Sequence, residues 1–229
     1  MEDESMCRFL KLLAVVLLVC SSGWAHRLVP NDGTHDDATS ALNVDDPDLS
    51  QLFLQELDAE NPELWISFHH KPGGGIYFQL GLPDLPASET YRPSVALLAP
   101  GFPAAPGLPF DVPEGYGAMV FDSGDAEPEL FEEHFTGTDS LILFEETVTS
   151  DEDSVFYLVL YHPDGVPGKA WVALGKREAF GVTDILNFAQ TVDTVRTFHE
   201  VEDERMPLLT RVLVLVSRFL MLILTTFSI

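Results

Sequence analysis

A histidine and an aspartate lie two residues apart in the stretch YHPDGVPGK, between two strongly apolar runs. His162 could serve as a general base or metal ligand, and Asp164 could supply a second oxygen ligand. With His69 they would form the site of a metal-dependent hydrolase, which is our alternative function. Pro163 presets φ, Asp164 bonds its own backbone and Gly165 accepts a positive φ, so the stretch is also typical of a turn. We favour the bend of a β-hairpin here and no catalytic residue, and leave enzymatic activity open.

A second set of residues suggests binding rather than catalysis. Residues 64–70 (LWISFHH) and 76–82 (IYFQLGL) alternate in polarity around a Gly-rich turn, which predicts a hairpin. Neighbouring side chains on a strand point to opposite faces. One face would therefore expose four side chains able to stack on sugars or peptides: Trp65, His69, Tyr77 and Gln79. The alternative is that the terminal helices or the segment before residue 61 cover this face.

Acidic residues cluster at Asp151, Glu152 and Asp153, in a turn between two predicted strands. Carboxylate oxygens are suitable Ca²⁺ ligands, so this turn is a candidate calcium site. It lacks the spacing and the glycine of a helix–loop–helix calcium site, which favours solvated charge. We otherwise predict no cofactor.

The elements that would position these residues are mostly strands. Seven short segments with turn residues between them predict an antiparallel, jelly-roll-like β-sandwich over residues 61–181. No segment between them has the length of a crossover helix. The segments are residues 64–70, 76–82, 94–99, 117–121, 140–146, 155–161 and 169–174.

The N-terminal region predicts export. Basic residues, a short apolar run and the triplet Gly-Trp-Ala over residues 1–25 are typical of a signal peptide; an uncleaved anchor is the alternative. Both cysteines, Cys7 and Cys20, fall within it, so the mature protein would lack disulfides. Residues 26–60 predict an acidic disordered lead-in, with a short helix over residues 48–57.

The C-terminal region predicts attachment to a membrane. Residues 182–206 predict a helical juxtamembrane segment, and the apolar residues 207–229 predict a transmembrane helix. Polar residues including Arg211, Ser217 and Arg218 recur along one side of this helix. Such a stripe favours pairing with a partner transmembrane helix. A helix lying flat in the interface and a lipid-anchor signal are the alternatives.

The net charge is −25, from 37 acidic and 12 basic residues. So acidic a surface repels nucleic acid, because few cations are present to displace counterions from phosphates. The acidic composition and the two terminal segments together indicate a single-pass type I protein of the secretory pathway or cell surface. The sandwich of such a protein is lumenal or extracellular.

The paired segments SVFYLVLY (154–161) and KAWVALG (169–175) resemble the closing hairpin of secreted β-sandwich modules of the pre-peptidase C-terminal type. The continuation REAFGVTDIL (177–186) is similar to that of uncharacterised membrane-attached secreted proteins. The resemblance implies a jelly-roll-like sandwich with a binding or accessory role and no catalytic residues. We therefore expect a non-catalytic ectodomain that binds a protein or glycan partner.

Overall fold

A computed structural model describes residues 26–179, 181–202 and 206–227 of the chain. The predicted signal peptide, with both cysteines, lies outside the described residues. Residues 203–205 of the predicted juxtamembrane segment lie outside them too.

Strands dominate the described part of the chain. They are β1 (Arg27–Leu28), β2 (Leu42–Val44), β3 (Gln51–Leu57), β4 (Glu63–His70), β5 (Gly75–Pro83), β6 (Ser94–Pro100), β7 (Tyr116–Asp122), β8 (Glu129–Glu133), β9 (Thr138–Thr149), β10 (Ser154–Tyr161) and β11 (Gly168–Leu174). A short 3₁₀ helix spans Pro86–Ser88. All seven predicted strands are present, as β4–β7 and β9–β11.

The strands form two sheets. Sheet A has the order β1-β3-β11-β5-β9-β8, and sheet B has the order β2-β4-β10-β6-β7. Most pairs are antiparallel, but β1 with β3 and β2 with β4 are parallel. The fold is thus a mixed β-sandwich with helices, which corrects the prediction of a purely antiparallel sandwich. The difference arises because residues 26–48 contribute edge strands instead of forming a disordered lead-in.

The main core lies between the sheets. The predicted core face, which comprises Leu64, Ile66 and Phe68 with Ile76, Phe78 and Leu80, is buried there. The pairing between these two segments, however, was predicted wrongly. β4 belongs to sheet B and pairs with β10, whereas β5 belongs to sheet A and pairs with β11 and β9. The Gly-rich turn therefore crosses from one layer to the other.

The bend after β10 crosses between the layers in the same way. The Gly165 amide donates to the His162 carbonyl oxygen over 3.0 Å, and Gly165 has φ +64°. A turn is therefore present, as predicted, but the strands that it joins lie in different sheets and do not form a hairpin.

The predicted helix over residues 48–57 was also wrong, because these residues contain strand β3. Its apolar spacing fits a helix and a strand equally well over so short a run. Hydrogen bonding to β11 and β1 decides in favour of the strand.

Two α-helices follow the last strand: α1 (Val182–Phe198) and α2 (Leu208–Phe227). The Asp184 carboxylate accepts from the Gly181 amide over 2.7 Å and meets the Arg27 guanidinium at 2.9 Å, which ties the start of α1 to β1. Ala189 and Val192 of α1 pack with Val214 of α2.

The predicted transmembrane helix is not supported. Within residues 26–179, 181–202 and 206–227, no helix combines the length and the apolar character needed to cross a membrane. α2 carries Thr210, Arg211, Ser217 and Arg218, and Thr210 and Ser217 are buried against the rest of the chain. The prediction of a single-pass type I topology depended on this transmembrane helix and is therefore not supported either.

Candidate ligand-binding cleft

A polar cleft lies where β10 ends and the chain crosses to β11. It has a volume of about 550 Å³, and its lining includes Tyr91, Arg92, Asp122, His162 and Asp164. We refer to it as the Tyr91–His162 cleft. Three chain segments build it: the loop after the 3₁₀ helix, the end of β7 and the turn after β10.

The Tyr91 ring forms a rigid support for His162. The two rings are stacked, with centroids 5.1 Å apart and planes at 26°. On Gly168, a Cβ would come within 3.0 Å of the Tyr91 ring, so only glycine lets the ring lie there. Burial raises the pKa of the Tyr91 phenol, and the ring therefore stays neutral over the physiological range.

The turn fixes the tautomer of His162. Its Nδ1 accepts from the backbone amides of Asp164, at 3.1 Å, and Val166, at 3.3 Å. The ring proton therefore lies on Nε2, which makes His162 a hydrogen-bond donor to a neighbouring group. Burial lowers the pKa of His162, while the Asp164 charge acts in the opposite direction. A neutral imidazole whose only basic nitrogen is already engaged is poorly suited to act as a general base.

Both signs of charge meet around this ring. Arg92 donates to the carbonyl oxygen of Tyr91 over 2.8 Å, which holds its guanidinium beside the stacked pair. Asp122 accepts from the Gly124 amide over 2.8 Å, and Asp164 follows His162 in the turn. The cleft thus combines guanidinium and imidazole donors with carboxylate acceptors.

Trp65 lies elsewhere and is only 1% exposed. Its indole makes edge contacts with Phe110 at 5.1 Å and Tyr157 at 5.7 Å, on the outer face of sheet B. The Pro-rich segment 101–115 and Ala38 and Ala41 of the lead-in pack over this face. Trp65 therefore does not belong to an exposed aromatic surface, because the covering that the sequence left open as an alternative is present.

Tyr77 and Gln79 lie together on the outer face of sheet A. The Tyr77 hydroxyl donates to Glu145 over 2.9 Å, and the Gln79 amide donates to the same carboxylate over 3.3 Å. Burial and the Glu145 bond raise the pKa of Tyr77. Lys176 Nζ lies 4.0 Å from the Tyr77 ring centroid. Most of the polar groups of this pair are already used within the chain.

His69 is exposed and cannot share a metal ion with His162. It lies opposite Val155 at the start of β10, whereas His162 follows the end of that strand. His162 follows Val155 by seven residues, so a rise of roughly 3.3 Å per residue places the two histidines more than 20 Å apart. His69 Nε2 instead lies 3.5 Å from Asp153.

Metal coordination finds little support in the described residues. Within them, no group of three or more His, Cys, Asp or Glu side chains is arranged to hold a metal ion. Glu152 and Asp153 of the predicted calcium turn are exposed, and the Glu152 amide donates to the Ser150 hydroxyl over 3.2 Å.

The polar stripe of α2 contacts α1 of the same chain. Ser217 Oγ donates to the Leu186 carbonyl oxygen over 2.7 Å, and Arg218 pairs with Asp193 at 2.9 Å. Arg211 Nε donates to the Met206 carbonyl oxygen over 3.0 Å. Ser217 and Arg218 thus contact a helix of the same chain, whereas the predicted pairing with a partner transmembrane helix stays a prediction.

Tyr91, Arg92 and Asp122 were not predicted as site residues. They lie in separate loops and strand ends, and no motif links them to His162.

Sequence analysis also missed the buried bond between Ser140 Oγ and His199 Nε2, 3.0 Å long. His199 Nδ1 is 2.9 Å from the Val195 carbonyl oxygen and must donate to it, so Nε2 accepts from Ser140. Both side chains are buried, and this Ser–His pair joins β9 to α1.

The His199 environment predicts a pH-dependent stability. Burial lowers its pKa below the ordinary 6.5, outweighing the neighbouring charges of Glu133 and Asp139. Below pH 6.5 the unfolded chain therefore binds a proton that the folded chain excludes. The free energy of unfolding should have its full value above pH 6.5 and should fall as the pH drops below it. Urea unfolding at a series of pH values should show this fall, and His199→Gln should make it shallower. Equal slopes for His199→Gln and wild type would contradict the assignment.

Comparisons with known proteins give no family. No family model matches the sequence, and no curated protein matches it. Among solved structures, the chain is similar to CorA, a surface-associated copper-binding protein important in copper acquisition by Methylomicrobium album BG8. The identity is 12% and the TM-score 0.33, covering 60% of this chain and 98% of that chain. A similarity at this level carries no argument about function.

Proposed function

We propose that this protein is a non-catalytic binding protein whose ligand is a carbohydrate, held in the Tyr91–His162 cleft. The observation that carries the proposal is the imidazole stacked on Tyr91, with Nδ1 engaged by two backbone amides and Nε2 left to donate. A ring held in this way needs no reorganisation to bind, which favours affinity.

The surrounding charges support the same ligand class. A sugar hydroxyl both donates and accepts hydrogen bonds, so vicinal hydroxyls can bond to carboxylates such as Asp122 and Asp164 and to donors such as Arg92 together. The volume of about 550 Å³ lies within the range of small-ligand sites. The engaged Nδ1 supports binding over hydrolysis. The exported N-terminus predicted from the sequence supports a secretory or cell-surface location for this role.

Replacing His162 by alanine should weaken carbohydrate binding at least about tenfold, because the stacked ring and its N–H donor are both lost. The full chain would first be probed on a glycan array, and the strongest glycan would then be titrated calorimetrically against wild type and variant. His69→Ala is the matched control, because it removes an exposed histidine of β4 that lies beside the start of β10, at the far end from His162.

The control should bind like wild type, and circular dichroism should show the same fold for both variants. The proposal fails if the wild-type protein retains no glycan. It also fails if His162→Ala binds as tightly as His69→Ala does.

A further inference from the structure

The helix α2 exposes a row of large apolar side chains. Leu208, Val212, Leu215 and Phe219 are 79%, 41%, 66% and 60% exposed. Their spacing of four, three and four residues places them along one side of the helix. We name these four residues the α2 stripe. Contiguous apolar surface of this kind is typical of an interaction site.

Contacts with the rest of the chain fix the direction of the stripe. The opposite side of α2 is buried, through Thr210, Leu213, Val214 and Ser217. Thr210 donates to the Phe135 carbonyl oxygen, and Ser217 donates to that of Leu186. The helix therefore cannot turn its apolar side inward without breaking these bonds.

The charged residues of α2 indicate which kind of surface covers the α2 stripe. Residues 206–227 contain two arginines and no acidic residue, in a chain of net charge −25. Arg211 and Arg218 are seven residues apart, so they lie on the same border of the stripe. Arg218 is held by Asp193 at 2.9 Å, so this border is polar whether or not it meets a ligand. An apolar face with a polar border matches a lipid surface, where the face meets acyl chains and the border stays in the headgroup region.

A second copy of the chain matches this face less well. Two chains of net charge −25 repel each other, and each would bring the same arginine border to the contact. We infer that α2 lies flat on a phospholipid surface, with the α2 stripe in the boundary between headgroups and acyl chains. α2 then attaches the chain to a membrane without crossing it.

Flotation of the full chain with phosphatidylcholine vesicles tests this inference. Wild type should float with the vesicles, and Leu215→Glu combined with Phe219→Glu should lower the partition coefficient on the order of 100-fold. Val120→Glu is the control, because it places a glutamate at an exposed apolar residue of β7, away from α2. Circular dichroism should show the same fold for all three proteins, since the replaced side chains are exposed.

Comparing variants of the full chain separates α2 from the apolar N-terminal segment. If the double variant floats as well as Val120→Glu, the N-terminal segment or another surface holds the lipid, and the inference is wrong. It is also wrong if wild type stays with the unbound fraction. A wild-type dimer by light scattering that the double variant loses, with no flotation, would assign the stripe to a second copy.

Discussion

Replacing Trp65 by alanine should lower the free energy of unfolding by about 4 kcal/mol, as measured by urea denaturation. The indole is at the centre of the apolar cluster outside sheet B, and its removal leaves Phe110 and Tyr157 without a common contact. The Pro-rich segment 101–115 should loosen, because the side chains that cover the cluster lose their support. Limited proteolysis should then cut the variant faster within this segment.

Trp65→Phe is the control, because it keeps an aromatic ring at this position and removes less side-chain volume than alanine does. The Trp65 indole N–H has no hydrogen-bond partner in the part of the chain described by the structure. Phenylalanine removes this unpaired donor and keeps an aromatic ring, so the loss should be only about 1 kcal/mol. A loss below about 1 kcal/mol for Trp65→Ala would show that the cluster does not contribute to stability.

Gly117→Ala should cost about 3 kcal/mol, which is large for the addition of one methyl group. A Cβ there would come within 3.0 Å of the carbonyl oxygens of Phe102 and Pro103. These are backbone atoms, and Pro103 accepts from the Ala118 amide over 2.9 Å, so neither can move without breaking the edge of β7. Thermal and urea unfolding would measure the loss.

Gly124→Ala tests whether close backbone contact is the cause. The nearest atom to a Cβ on Gly124 is a side-chain oxygen of Asp122 at 3.3 Å, which needs to shift by only a few tenths of an ångström. This control should cost less than about 1 kcal/mol. Equal losses at Gly117 and Gly124 would mean that backbone freedom, and not the approach of residues 102–103, explains the effect.

The local pattern predicted seven of the eleven described strands and missed β1, β2, β3 and β8. Alternation placed Ile66 and Phe68 of β4 and Phe78 and Leu80 of β5 on the side of the core, where the structure has them. Side-chain period is a property of each strand, so it can be read without knowing the neighbours. Alternation could not show which sheet each strand joins. Both the Gly-rich turn after His70 and the turn at His162 were therefore interpreted as hairpins.

The C-terminal residues 207–229 show what amino-acid composition alone cannot predict. Residues 207–229 are apolar enough to suggest a membrane span, yet Ser217 and Arg218 contact α1, and only one side of the helix remains exposed. Neither contact follows from the tail sequence, because the partners Leu186 and Asp193 lie in the preceding helix. Trp65 is a similar case, since segment 101–115 and the lead-in cover it.

By itself, the sequence determined where seven of the eleven described strands lie, which faces of β4 and β5 are apolar and where the chain turns after them, because these features depend on neighbouring residues. It also determined how acidic the protein is, because net charge is a sum over the residues. The tertiary structure alone decided the pairing of strands between layers, the burial of Trp65 and the meeting of Tyr91, Arg92 and Asp122 with His162. Those outcomes depend on contacts between residues far apart in the chain, and a single sequence does not display such contacts.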